Sequence, residues 1–221
     1  MDRFYGQFIQ PGDLCFDVGS HVGNRVRSWR SLGATVVAIE PQPDFMRILE
    51  LLYGRSEHVH LEAIGVADAP GTLELHISRA APTVSTFASG WIDEVASTER
   101  WSGITWEDRV QVEVHTLDQL IEAYGPPAFC KVDVEGFEAT VLSGLSQPIA
   151  ALSFEYVPEA LDVAVACIEH LSTLGSYRFR TSKVETMRWV EDDWLSAGQM
   201  CDQLSSMGVE ASSGDVYAKL R

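Results

Sequence analysis

Positive charge is what this chain has least of. Lysine and arginine total 16 against 32 aspartates and glutamates, a net charge of -16 at neutral pH. A protein that grips nucleic acid or an anionic membrane meets the phosphates with a basic face. Both classes of partner are therefore disfavoured, whereas a cationic ligand is not. No apolar run approaches the ~18 residues of a membrane span. The opening residues MDRFYGQFIQPGD lack a basic start followed by an apolar core, so no secretion signal is expected and the cytoplasm is the expected compartment. Cys15, Cys130, Cys167 and Cys201 are scattered through apolar contexts without CxxC spacing, which argues for reduced core thiols and against a zinc cluster. Repeats and low-complexity tracts are absent as well. What remains is 221 residues with 46% hydrophobic content, enough for one large domain over residues 1–221 with a sizeable core.

The chain alternates strand and helix signals. DLCFDVG, TVVAIE, VHLEAIGVAD, AFCKVDVE and IAALSFEYV read as strands. Between them NRVRSWRSLG, PDFMRILELLYG, TLDQLIEAYG and GFEATVLSGL read as helices. Thr116 is placed to cap one helix, and Gly33 and Gly125 to stop two. TLELHIS, the long helix EALDVAVACIEHLSTLG, SYRFRTS and DVYAKL complete the pattern. Alternation of this kind gives an α/β fold with a mostly parallel sheet covered by helices on both faces. Residues 79–109 and 183–213 break the pattern. They are irregular, acidic and rich in tryptophan, with Trp91, Trp101 and Trp106 in one and Trp189 and Trp194 in the other, and are expected to be lids or insertions. Trp29 sits at helical spacing and belongs to the core.

Open parallel sheets bind ligands at the carboxyl ends of their strands. The first strand ends in DVGSHVGN, where Gly19 and Gly23 allow a tight turn and close backbone approach before a helix N-terminus. The spacing is not that of a dinucleotide fingerprint, since Ser20, His21 and Val22 separate the glycines. Asp17 lies beside this turn, and an acid there repels a pyrophosphate but suits an ammonium. The second strand ends at Glu40, which can accept from both hydroxyls of a ribose, the competing role being an acid at the start of a helix. Together Asp17 and Glu40 suggest a nucleoside that carries a cation, and S-adenosylmethionine meets that description. Ser20, His21, Asn24, Pro41 and Gln42 flank these positions and complete the expected cofactor loop. Ala63 and Ile64, at the end of the third strand, are candidates for the adenine wall or for an ordinary core.

The stretch FCKVDVEGFEAT places Lys131, Asp133 and Glu135 on one face of a strand, if it runs that far, with Cys130, Val132 and Val134 on the other. Burying three charges costs several kcal/mol unless they are paired or at work. FDVGSHVGN, AIEPQP and above all KVDVEGFEATVLSGL resemble the FkbM-type methyltransferases, a branch of the class I S-adenosylmethionine-dependent fold. The Lys-x-Asp-x-Glu-Gly-x-Glu pattern is the most specific part, and the resemblance spans roughly residues 12–156.

That resemblance implies a single doubly wound, Rossmann-like sheet of seven strands and transfer of a methyl group, most often to a hydroxyl oxygen of a sugar, glycolipid or secondary metabolite. Asp133 is then expected beside the sulfonium, contributing to cofactor binding and catalysis. Glu135 and His21 are the candidate bases, Lys131 is an orienting partner and Glu138 is structural. Two departures stand out. His21 occupies a position where many class I loops have glycine. Only residues 1–12 precede the first strand, which leaves little room for an N-terminal substrate cap, so recognition would fall to the two irregular segments. Glu155 at the end of LSFEYV adds a third carboxylate near Asp133 and Glu135. Three such oxygens could hold magnesium, but solvent-facing acids are the preferred reading and no metal is expected. The alternatives are an N- or C-methyltransferase of the same fold, a nicotinamide-dependent oxidoreductase, and a non-catalytic cofactor-binding protein.

Overall fold

The computed structural model describes residues 1–96 and 98–221; Ser97, inside the 79–109 segment, lies outside the described residues. Strands β1 (Leu14–Val18), β2 (Thr35–Ile39) and β3 (Val59–Glu62) alternate with helices α2 (Asn24–Ser31) and α3 (Pro43–Tyr53), after a short α1 (Asp2–Tyr5). Further along come β7 (Phe129–Val132), α6 (Glu138–Ser143), β8 (Ala151–Tyr156), α7 (Leu161–Leu174), β9 (Tyr177–Lys183) and β10 (Gly214–Leu220). The sheet order is β3-β2-β1-β7-β8-β10-β9. Its first five strands run parallel, and β10 is antiparallel to both its neighbours.

Residue alternation explains the two covered faces. Phe16 and Val18 of β1, Val37 and Ile39 of β2, and Cys130 and Val132 of β7 face one core. Leu117 and Leu120 of α5 (Leu117–Tyr124) complete that core with α6, α7 and α8 (Ala197–Ser205). Cys15, Val36, Ala38 and Phe129 face the other, closed by Phe4, Tyr5, Val26 and Trp29 from α1 and α2. The helices start where their sequence says they should: Thr116 caps α5 through a reciprocal capping box with Gln119.

Three features depart from the sequence reading. VHLEAIGVAD is not one strand; it breaks after Glu62, and β4 (Gly65–Val66) leaves for a second sheet of order β4-β6-β5, built with β5 (Gly71–Ile77) and β6 (Asp108–His115). Strand β7 ends at Val132, so Asp133 and Glu135 belong to a turn. The 183–213 segment contains α8, announced by a Ser196–Gln199 capping box. Among the described residues, no helix is long and apolar enough to cross a membrane.

Candidate active site

The sheet order reverses direction between β1 and β7, and there the carboxyl ends of β1, β2, β7 and β8 open into one cleft. At the β1 end the backbone turns through Gly19 (φ +82) and His21 (φ +50) to Gly23 (φ +80). The turn is strapped to β2: the amides of Gly19 and Ser20 both donate to the Ile39 carbonyl, at 3.0 and 3.1 Å. Asp17 lies wholly buried behind it, and neither carboxylate oxygen has a hydrogen-bond partner among the described residues. Burial raises its pKa to about 7, against the pull of Arg25 and Lys131. Such an orphaned acid needs a proton or a cation. Ser20, also buried, donates its hydroxyl to the Asp17 carbonyl at 2.7 Å.

Glu40 stands at the β2 end, 5% exposed. Its two oxygens accept from the backbone N–H groups of His21 and Gln42, each at 2.8 Å. Burial raises its pKa to about 7, opposed by those two amide bonds. One carboxylate thus ties the loop after β1 to the loop after β2, with lone pairs left for hydroxyl donors. The His21 ring meets Phe45 edge to face at 4.0 Å, and burial lowers its pKa.

The charges of FCKVDVEGFE are brought together by a turn as well as by the strand. Lys131, fully buried, places Nζ 3.0 Å from Asp133 Oδ2 and 2.8 Å from Asp215 Oδ1 on β10. The Tyr217 hydroxyl donates to the other Asp215 oxygen at 3.3 Å. Burial disfavours the Asp133 charge, but Lys131 and Arg25 prevail and hold its pKa below the usual value. Glu135 adopts φ +52, followed by Gly136 at φ +85, so the chain reverses within two residues. Burial, with repulsion from Asp133 and Glu138, lifts the pKa of Glu135 well above normal. Glu155 is lifted likewise by burial and by Glu135. Carboxylate oxygens of Asp133, Glu135 and Glu155 all lie within 4.8 Å of one another, close enough to share a proton or a divalent ion. Glu138 plays a local part: its side chain accepts from the Val134 amide at 3.0 Å and holds the turn against α6.

The cleft has two parts. Gly19, His21, Glu40, Pro41 and Gln42 face Phe45, Leu75, Phe87 and Val134 in the more apolar one. Ser20, His21, Asn24, Arg25, Asp133, Glu135, Glu155 and Glu185 line a polar recess beside it. Gly23 borders neither part; it packs under Tyr53, which donates to its carbonyl at 3.2 Å. Ala63 and Ile64 are not brought to the cleft. Ala63 faces solvent in a separate groove and Ile64 joins the core, because the break after Glu62 turns the chain toward the second sheet. The apolar wall comes instead from Phe45 of α3, Leu75 of β5 and Phe87, residues that no strand-end rule selects.

Residues 82–87, within the 79–109 segment, border the cleft. Thr83, Ser85 and Phe87 line it, Ser85 donates to the Gln42 side chain at 2.8 Å, and Thr86 donates to the Glu135 carbonyl at 2.7 Å. Trp91, on α4 (Ser89–Val95), meets Trp101 and Trp106 edge to face at 4.9 and 6.2 Å. The tryptophans of this segment therefore pack chiefly on one another, on Val157 and on Ala160. Trp189 and Trp194 pack with Phe8 against the core closed by α1 and α2, with the Arg180 guanidinium 4.6 Å over the Trp189 ring.

This strand order, with a glycine turn after β1 and an acid after β2 at the switch point, defines a class I S-adenosylmethionine-dependent methyltransferase. The chain belongs to the FkbM family: the Methyltransferase FkbM domain matches residues 17–181. The fold is shared with a precorrin-6y C5,15-methyltransferase from Geobacter metallireducens GS-15, at 12% identity and TM-score 0.50, covering 99% of this chain and 85% of that one. An rRNA methylase from Streptococcus thermophilus matches at 10% identity and TM-score 0.50, covering 100% of this chain and 94% of that one. No curated protein gives a significant sequence match. The cofactor is S-adenosylmethionine, which supplies a methyl group already activated on a sulfonium. The residues present fit it: a buried unpartnered Asp17 for positive charge and a Glu40 carboxylate with free lone pairs.

Proposed function

We propose that this enzyme methylates a hydroxyl oxygen of a small molecule such as a sugar, glycolipid or secondary metabolite, with Glu135 taking the acceptor proton. The observation that carries the reading is Glu135 itself, a carboxylate in the polar recess whose affinity for a proton is raised by burial and by the neighbouring Asp133 and Glu138. A general base works best when its pKa approaches the working pH. Glu40 accepts from the ribose hydroxyls, with Pro41 and Gln42 beside the nucleoside. Gly19, Ser20, His21 and Asn24 line the turn around the amino-acid end, with Gly23 beneath it; the ammonium faces Asp133, and Asp17 adds its charge from behind the turn. Lys131 keeps Asp133 ionised and oriented. Most of the rate gain comes from holding the acceptor oxygen about 3 Å from the methyl carbon, in line with the bond to sulfur. His21 is the second candidate base, disfavoured by its lowered pKa and its contact with Phe45. The acidic recess and the net charge of -16 argue against RNA as the acceptor, although structural neighbours include two proteins described as rRNA methylases.

The test is transfer of labelled methyl to panels of hydroxyl-bearing glycosides, amines and RNA, with Glu135→Gln beside the wild type. Product on oxygen, turnover cut by about 10² or more in the variant and unchanged affinity for S-adenosylhomocysteine are expected. Methyl on nitrogen or RNA, or full turnover by Glu135→Gln, overturns the reading. The close approach of Asp133, Glu135 and Glu155 supports a second reading, an ion that acidifies the acceptor hydroxyl. Turnover abolished by a chelator and restored by magnesium would decide for it.

A further inference from the structure

We infer that Arg25 binds the α-carboxylate of the cofactor's amino-acid end, and that Glu185 occupies that position until the cofactor displaces it. The inference rests on the cofactor placement proposed above. Arg25 is the second residue of α2, directly after the glycine turn, and lines the polar recess with Gly19, Ser20, His21 and Asp133. Its side chain is 13% exposed, and Nε is buried with no hydrogen-bond partner among the described residues. Burial opposes its charge, but Asp133, Asp17 and Asp215 around it prevail and keep the guanidinium ionised. The start of α2 has no capping side chain, so its first amides are also free to receive an anion.

Two further observations sharpen the assignment. Among the described lining residues of the recess, Arg25 is the only permanent cation; Asp133, Glu135, Glu155 and Glu185 are acids. A zwitterionic amino-acid end placed there has an ammonium partner in Asp133 and needs a cation for its carboxylate. The protein also supplies a stand-in for that carboxylate. Arg25 Nη2 donates to Glu185 Oε1 at 2.8 Å, and Glu185 is 54% exposed. Glu185 sits in the turn after β9 between Val184 (φ +47) and Met187 (φ +52), left-handed conformations that are unfavourable for side chains other than glycine and costliest for a β-branched one. A ligand carboxylate that takes over Arg25 therefore releases a strained, half-exposed turn at little cost in buried contacts.

The competing role for Arg25 is to neutralise Asp17 and Asp133, and two ligands separate the roles. S-adenosylhomocysteine carries the amino-acid end; 5′-methylthioadenosine keeps the nucleoside and lacks it. By calorimetry, Arg25→Gln is expected to weaken S-adenosylhomocysteine by about 10-fold or more and 5′-methylthioadenosine by less than about 2-fold. Glu185→Gln is expected to move the other way, tightening S-adenosylhomocysteine several-fold and leaving 5′-methylthioadenosine unchanged. Equal weakening of both ligands by Arg25→Gln, or weakened S-adenosylhomocysteine in Glu185→Gln, overturns the inference. Should Arg25→Gln fail to fold, the sign of the Glu185→Gln effect decides. Glu40→Ala reports on the cleft itself: it should weaken both ligands alike, and no change in either places the cofactor elsewhere and removes the ground for the Arg25 assignment.

Discussion

A Cβ added to Gly19 would lie 1.9 Å from the Asp133 carbonyl oxygen, and its φ of +82 already disfavours any side chain. Glycine is therefore required there by the close packing of the turns after β1 and β7, before any ligand is considered. The tight turn expected from the sequence is present, and the close backbone approach is to the Asp133 carbonyl of the neighbouring turn. Gly12, at φ +91, has nothing within 4 Å of such a Cβ. Gly12→Ala should then cost only the strain of the left-handed backbone, about 1–2 kcal/mol. Gly19→Ala should destabilise by clearly more, with loss of a cooperative thermal transition as the extreme, because backbone cannot move aside like a side chain. Equal melting of the two variants would show that the β1 and β7 turns separate easily. Glu40 and Asp133 were legible as strand-end acids that line the cleft, whereas Asp17, at the end of the same sheet, lies wholly buried behind the glycine turn and lines neither part of it. Arg25 and Glu185 were not legible, since their pairing joins residues that only the finished fold brings together.

At the scale of elements, the β7–α6 junction is where sequence reasoning was half right. Alternation correctly puts Lys131 and Asp133 on one side, but Glu135 arrives through the reversal at Glu135–Gly136 rather than along a strand. The partner that alternation could not supply is Asp215, on the last strand, whose register opposite Glu155 brings it to the Lys131 ammonium. The break of VHLEAIGVAD between two sheets was equally hidden, since both halves carry strand-forming residues and the destination depends on β6. The Ser196–Gln199 box before α8 was visible in the sequence, but a polar, acidic surrounding masked it. The Lys131 bridge has a measurable consequence. Lys131→Met removes the ammonium bridging Asp133 and Asp215 and leaves Arg25 as their nearby cation; breaking a buried pair from one side costs about 3–5 kcal/mol. Denaturant unfolding should show that loss at pH 8 and a smaller one in acid, where Asp133, no longer held ionised by Lys131, can take up a proton. A loss independent of pH would mean that packing of the lysine stem, not its charge, is what the core needs.

Over the whole molecule, the buried acids at and just beyond the carboxyl ends of the strands set how stability responds to pH. Asp17, Glu40 and Glu138 all have pKa values raised to about 7 by burial. A carboxyl raised in the folded state contributes stability that is fully present below its unfolded pKa and lost as pH climbs through the folded one. For Asp17, against an ordinary 3.8, the loss is on the order of 4 kcal/mol at most. Asp133 has the opposite sign: its lowered pKa contributes stability above the unfolded value that is lost only in stronger acid. The free enzyme should therefore melt highest at mildly acidic pH and lose stability between about pH 5 and 8. Asp17→Asn should remove part of that slope and raise the thermal midpoint at pH 8. Cofactor binding enters the same linkage. A ligand ammonium across the turn from Asp17 favours the ionised acid, so S-adenosylmethionine should expel protons as it binds below about pH 7. Calorimetry in buffers of different ionisation enthalpy measures that release directly, and Asp17→Asn should diminish it. Proton uptake, or no exchange at all between pH 6 and 7, would mean that the cationic end of the cofactor lies away from Asp17.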